Sequence, residues 1–405
     1  MKNTLIPIIG LLSILSSCGD KTKSIISDVQ PIELSSSSTE AIEFFRKAEK
    51  LKFDQDYIKA NSAYKSALEL DPNFVMALTE INESDISLAK IYRKKALENF
   101  ANLNAYEKLA FEWDTLPNSG NWRSKKIEIS KRIIELYPDK IEGYINLAQS
   151  YSASNDSDEK LQVLDRAIEL DPLNSIPYVL KLTALFSNSS KSIPLQKNPE
   201  FFKKFQILSD QMLELFPDNI RVITSIADIY SNSYDYFDQT RIDKSISLFN
   251  KALDLSNKIK SSNKPRILSR FSRVYISSGV TDKGIDLIKE GIRLSENSGQ
   301  TIERYFNLFK GLIYSGKLID AISEIDKFES NLNNLSLSEL ELLKCSVGIN
   351  LFKAVIFAHS NNKKRAFSSF ESYVSASSKL INFLGFKENI TDQLDMSLID
   401  QLYFP

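Results

Sequence analysis

The sequence predicts an all-α protein built as a stack of antiparallel helix pairs, and three observations predict it. Residues 142–174 (EGYINLAQSYSASNDSDEKLQVLDRAIELDPLN) place apolar side chains at helical spacing in two runs separated by a polar turn. The proline that closes this pattern, Pro172, lies 34 residues after an equivalent one, Pro138. No stretch of the 405 residues switches to strand-like alternation, and the 12 Gly and 12 Pro are few for a loop-rich or all-β architecture.

In that central stretch the first run carries Tyr144, Leu147, Ala148 and Tyr151, and the second Leu161, Leu164, Ala167 and Ile168. Ala148 and Ala167 let the two backbones approach closely, and Pro172 stops the second helix because proline cannot continue it. Upstream, Phe44, Ala48, Leu51, Ala60, Tyr64, Ala67 and Asp71-Pro72 fill the same slots, and AYKSALELDPNF parallels LDRAIELDPLN. These residues resemble the tetratricopeptide repeat, with Lys160 as a departure where that family carries alanine. A repeat of this size cannot bury both of its faces alone. The resemblance therefore implies a tetratricopeptide-like α-solenoid of about six to eight pairs, some degenerate, over residues 41–379.

The N-terminus reads as an address. Lys2 precedes an apolar run from Leu5 to Leu15, too short to span a bilayer, so residues 1–17 are expected to be a signal peptide. Leu15-Ser16-Ser17-Cys18-Gly19 resembles the lipobox of bacterial lipoproteins, which implies acylation of Cys18 and attachment to the lipid bilayer. Gly19, rather than aspartate, follows the cysteine, and this favours the outer membrane of a bacterial envelope. Residues 18–40 then form a flexible tether, of roughly 25 Å root-mean-square reach, ending where Ser37 and Glu40 are placed to form a capping box.

After Pro72, residues 74–113 are helical but fit no single repeat, and residues 114–121 (DTLPNSGN) form a loop flanked by Trp113 and Trp122. Those rings either pack the loop onto the solenoid or form an exposed aromatic element. Residues 124–139 make the second helix of the pair that Pro138 closes. The next closing proline, Pro217, comes 45 residues after Pro172, so residues 187–200 must hold an insertion. Ile223, Ile226, Ala227 and Tyr230 with Ser245, Phe249 and Ala252 form the following pair, whose extra residues fall at Tyr234 to Asp238, a plug or a partner contact. Further pairs follow with Gly279, Gly284 and Gly291 at close approaches, with Tyr305 to Phe328, and between Ser338 and Lys379. Residues 380–405, with an amphipathic run from Ile390 to Tyr403, are expected to cap the stack.

The chemistry-bearing residues are sparse. With 51 basic and 52 acidic residues, overall attraction to nucleic acid is excluded as a driver, and no nucleic-acid partner is expected. One histidine, His359, and two cysteines, Cys18 and Cys345, make neither a disulfide framework nor a metal cluster. No phosphate-binding loop, nucleophile elbow or zinc-protease motif is present, so neither enzyme activity nor a cofactor is expected. The resemblance implies a protein or peptide partner in a concave groove lined by the first helix of each pair, at positions including Phe45, Glu49, Ile145, Gln149, Arg221, Asp228, Phe306 and Lys310. Arg266, Arg270 and Arg273 share one helical face, which is either a solvated charged surface or a fork for a carboxylate- or phosphate-bearing partner. On the second reading, three glutamates there abolish capture and leave the melt unchanged. The alternative function is a glycan-capturing lipoprotein serving a transporter, whose long aromatic, glycine- and asparagine-rich loops this chain largely lacks.

Overall fold

In a computed structural model, residues 32–383 are described except 82–85, 117–120, 152–156, 190–198, 233–238, 296–297 and 336. Residues 1–17, expected to be a signal peptide, with Cys18, the Tyr234–Asp238 segment and the Ile390–Tyr403 run, lie outside the described residues. Eighteen α-helices, and no strand, stand among them. They follow as α1 (Thr39–Phe53), α2 (Tyr57–Leu70), α3 (Val75–Glu80), α4 (Ile86–Asn99), α5 (Ala105–Thr115) and α6 (Trp122–Leu136). Next come α7 (Ile141–Ser150), α8 (Ser157–Leu170), α9 (Ser175–Ser189), α10 (Pro199–Leu215), α11 (Ile220–Asn232) and α12 (Gln239–Lys258). The stack ends with α13 (Lys264–Ser277), α14 (Thr281–Arg293), α15 (Ser298–Tyr314), α16 (Leu318–Asn331), α17 (Glu339–His359) and α18 (Lys363–Phe383).

Sequential helices pack against one another, α4 and α5 excepted, and the expected solenoid is the architecture observed. Direct contacts also link α3 to α5 and run from α7 through α9, α11, α13 and α15 to α17, whereas no comparable contact joins even-numbered helices. The stack therefore curves with the odd-numbered helices on its inner side. Among the described residues nine consecutive pairs stand where six to eight were expected, and residues 74–113, read as helical but fitting no single repeat, hold the six-residue α3, then α4 and α5.

Small residues set the helix crossings. Ala48, Ala60 and Ala67 are almost fully buried between α1 and α2, as are Ala148, Leu164 and Ala167 between α7 and α8. Gly284 makes a close approach to neighbouring backbone: a Cβ there would stand 2.8 Å from the Ser272 carbonyl oxygen of α13. Gly279 ends α13 at φ +83°, the left-handed conformation that glycine adopts without a Cβ penalty.

Among the described residues, those from Ile32 to residue 38 pack against the helices, where a flexible tether up to residue 40 was expected. The Asp71 carboxylate, at the end of α2, accepts from Ser36 Oγ at 2.7 Å and Ser37 N at 2.8 Å. Buried Glu107 accepts from Ser35 N at 2.7 Å, and Asn104 Nδ2 donates to the Glu33 carbonyl at 2.9 Å. Ser38 rather than Ser37 caps α1, accepting from Ala41 N at 3.1 Å. Residue 114 is on the last turn of α5, not in the connector. Trp113 is fixed to α7, its indole N–H donating to Ser150 Oγ at 3.1 Å while Lys126 lies 3.8 Å over its ring.

The curve brings distant turns together. The α1–α2 turn meets the cap of α11 and the α12–α13 turn, 165 to 209 residues downstream. Asn219 caps α11 by accepting from Val222 N at 3.0 Å, and its amide donates to Asp54 Oδ1 at 3.4 Å. Asn263 Nδ2 donates to the Asp54 carbonyl at 3.1 Å. Asp56, 3% exposed, accepts from Ser261 Oγ at 2.8 Å and from Ser262 Oγ. Lys59 Nζ donates to the carbonyls of Lys260 at 2.7 Å and Ile259 at 3.3 Å. Phe53 adds an apolar contact to the core formed by α9 through α13.

Candidate functional site

Helices α11 and α13 lie side by side on the inner face because each buries a stripe of large apolar residues. Ile223, Ile226 and Tyr230 of α11 join Ile267, Phe271 and Val274 of α13 in one core. The opposite positions of those helices are then free for polar side chains, and they carry Arg221, Thr224 and Asp228 on α11 and Arg266, Arg270 and Arg273 on α13. With Glu303 and Asn307 of α15, and Gln55 from the α1–α2 turn, all of these but the buried Thr224 line a cleft of about 400 Å³. Four arginines face two carboxylates, so the lining is net positive.

The arginines are not equivalent. Arg270 is 12% exposed and fully engaged, with Nε and Nη2 donating to Asp228 Oδ2 at 2.8 and 2.6 Å. Its Nη1 and Nη2 donate to Thr224 Oγ1 at 2.9 Å and to the Thr224 carbonyl at 3.0 Å. Arg266 is 3.8 Å from Glu303 and 5.5 Å above the ring of Tyr57. Arg273 is 62% exposed, with Asp228 3.9 Å away. Arg221 is half-buried; its Nε has no hydrogen-bond acceptor, and burial, then Arg270 beside it, pushes its guanidinium down to about 10. A cation so placed favours any anion brought to it.

Of the residues singled out from sequence, the structure brings Arg221, Arg266, Arg270 and Arg273 around one cleft and leaves Lys310 and Phe306 outside its lining. Lys310 still feels the cluster: burial, then Arg273, holds its ammonium below the usual value. Phe306, expected as a groove contact, is half-buried and packs on aromatic neighbours. Its ring lies 5.6 Å from that of Phe352 and 6.2 Å from that of Phe309, and over Gly348, where a Cβ would come within 2.4 Å of it. Phe45 is likewise core. Sequence reasoning missed Thr224, Glu303 and Gln55; an eye to polar residues spaced three or four before Asp228 finds the first of these.

A second cleft of about 430 Å³ lies beside α3, α4 and α5, lined by Lys52, Glu80, Arg93 and Asp114 among others. Its charges largely satisfy one another: Lys52 is paired with Glu80, and Tyr64 donates its hydroxyl to Glu49. Asp114 reaches solvent yet is hemmed in by protein, and that burial, with Glu80 and Glu49 near it and Lys52 opposing, pushes its carboxyl up to about 7. Among the described residues no group of three His, Cys, Asp or Glu is placed to hold a metal ion, and no helix is long and apolar enough to cross a membrane. His359 is exposed at the end of α17, and Cys345 is buried.

Comparison with known proteins bears on the fold. The tetratricopeptide repeat family profile matches residues 141–172. No curated protein matches the chain by sequence. Among solved structures, yeast Tom70 is similar at a TM-score of 0.51 and 17% identity, over 82% of this chain and 67% of Tom70. The pilF structure of Pseudomonas aeruginosa superposes at a TM-score of 0.37 and 13% identity, over 59% of this chain and 97% of that one. The protein is thus a solenoid of the tetratricopeptide type, with a tetratricopeptide repeat at residues 141–172.

Proposed function

We propose that this protein is a membrane-anchored docking scaffold of a bacterial envelope, held at the outer membrane by acylated Cys18 and binding a protein partner through its inner face, without catalysis. Tetratricopeptide repeats act in protein–protein interaction. The observation that carries the reading here is the net-positive cleft between α11, α13 and α15, with Arg266 and Arg273 free to take a new acceptor. Planar guanidinium forks suit carboxylates and phosphates, so the partner presents an acidic segment. The anchor follows from the lipobox-like Leu15 to Gly19, since two or more buried acyl chains hold a protein stably where one does not.

Two measurements test it. A photoreactive residue at Arg273 should crosslink a defined protein in cells, and the same residue at exposed Lys289 on α14 should not; Arg266→Glu should remove the adduct. Equal crosslinking from both positions would overturn the cleft as the docking site. Cys18→Ser should move the protein from the membrane fraction to the soluble one, and unchanged fractionation would overturn the anchor.

A further inference from the structure

The contact between the α1–α2 turn and the α12–α13 turn closes the solenoid on itself, and its composition is unusual for a permanent joint. It is made almost wholly of polar bonds through Asp54, Asp56, Lys59, Ser261, Ser262 and Asn263, with Phe53 as its apolar contribution. Both turns present their polar groups through a non-glycine residue in the left-handed region, Gln55 at φ 63° and Lys260 at φ 50°. Polar interfaces within a chain exchange with water at little net cost, because each bond made replaces bonds to solvent. The joint also forms one wall of the arginine cleft: Gln55 lines it, and Tyr57 lies under Arg266.

We propose that this joint is a reversible latch which closes the superhelix over the arginine cleft, so that closure and capture of an anionic segment are coupled. The inference rests on the cleft being the docking site. Its physical basis is the cost of closure: shutting the turn onto Arg266 and Arg221 takes guanidinium groups partly out of water, where Arg221 Nε finds no acceptor. An anion seated among them offsets that cost, and so binds the closed form more tightly than the open one. A ligand with such differential affinity must shift the equilibrium, and by linkage a weakened latch must weaken the ligand. The burial that lowers Arg221 is in keeping with this.

The experiment measures amide exchange over residues 259–263 and binding of hexaglutamate by calorimetry, with circular dichroism as the check on folding. The variants are Asp56→Ala, Lys59→Ala and the double variant Arg266→Glu, Arg273→Glu. Asp56 and Lys59 do not line the cleft. Asp56→Ala should speed exchange at 259–263 and weaken hexaglutamate roughly tenfold, within the usual range of coupling; Lys59→Ala, which removes only exposed bonds, should do both in smaller measure. Hexaglutamate added to the wild type should slow exchange at 259–263. The double variant should lose the peptide without loosening the turn beyond its unliganded rate. Wild-type affinity in both latch variants, while the double variant loses the peptide, would keep the cleft and overturn the latch. Failure of the wild type itself to bind hexaglutamate would overturn the acidic-segment reading and the coupling with it.

Discussion

Replacing Arg270 with alanine separates the guanidinium that holds the solenoid from those available to a partner. The substitution removes two bonds to Asp228 and two to Thr224, all between α11 and α13. It leaves Asp228, 22% exposed, with Arg273 at 3.9 Å as an ion-pair partner and Arg221 nearby. Breaking one side of a buried pair costs about 3–5 kcal/mol, and the partial exposure of Asp228 places this case at about 3 kcal/mol. At an unfolding entropy of ~2.1 cal/mol/K per residue, a chain of this length that melts as a unit loses roughly 4 °C. A repeat array can instead open locally, so amide exchange of α11 and α13 should accompany calorimetry. Arg273→Ala, at a side chain 62% exposed, should stay within about 0.5 kcal/mol of wild type. If Arg270→Ala melts with the wild type and keeps its protection in α11 and α13, the Arg270–Asp228 fork is not a structural tie and the division of labour among the arginines is wrong. Three glutamates at 266, 270 and 273 are accordingly a poor probe of capture, because the central one also unpins two helices; the clean probe is the pair Arg266 and Arg273.

Gly284→Ala sets a Cβ 2.8 Å from the Ser272 carbonyl oxygen, which belongs to the backbone of α13 and cannot swing aside, so urea denaturation should show a loss of about 1–3 kcal/mol despite alanine's better helix propensity. Asp114→Asn should stabilise the protein in a pH-dependent way. The folded state holds the Asp114 proton up to about pH 7 while the ordinary value is 3.8, so wild-type stability from this group is fullest below pH 3.8 and falls as the pH rises to 7. Discounted for solvent screening, the gain over wild type should be about 1 kcal/mol at pH 8 and vanish near pH 4, by melts at both values; an equal gain at both would refute the assignment. Cys345, whose thiol burial pushes up to about 11 with Glu341 adding to the shift, should ignore Ellman's reagent at pH 8 until the fold is opened by denaturant.

The architecture was legible because each repeat records its own packing. Tyr64, Ala67, Leu164 and Ala167 recur at fixed spacing, and the structure buries all four where helices cross. Legibility failed where the local pattern is interrupted. Residues 74–113 read as helical without fitting a repeat, and Val75 to Leu78 are all buried in a helix of barely two turns, too short for a periodicity to show itself. The packing of residues 33–38 went unread for a different reason. Residues 33–38 are mostly polar and read as a tether, but Ser35 N, Ser36 Oγ and Ser37 N donate to Glu107 and Asp71, partners 34 to 72 residues away that no local rule names.

The site was half legible for the same reason. Helical spacing alone places Arg266, Arg270 and Arg273 on one face of α13, and the near-zero net charge conceals that patch only from whole-chain arithmetic. What spacing leaves open is which arginine is spent internally. That depends on Thr224 and Asp228, which are i, i+4 on a helix two elements earlier, and on a packing distance no sequence supplies. The closure of the superhelix is less legible still. Solenoid periodicity encodes contacts between neighbours, whereas the joint unites residues 54–59 with residues 259–263, two turns whose Asp, Ser and Asn are what any helix boundary would carry. An ordinary capping vocabulary thus serves a long-range purpose here, and that is why the wall of the cleft formed by Gln55 emerges only once the curvature of the whole stack is known.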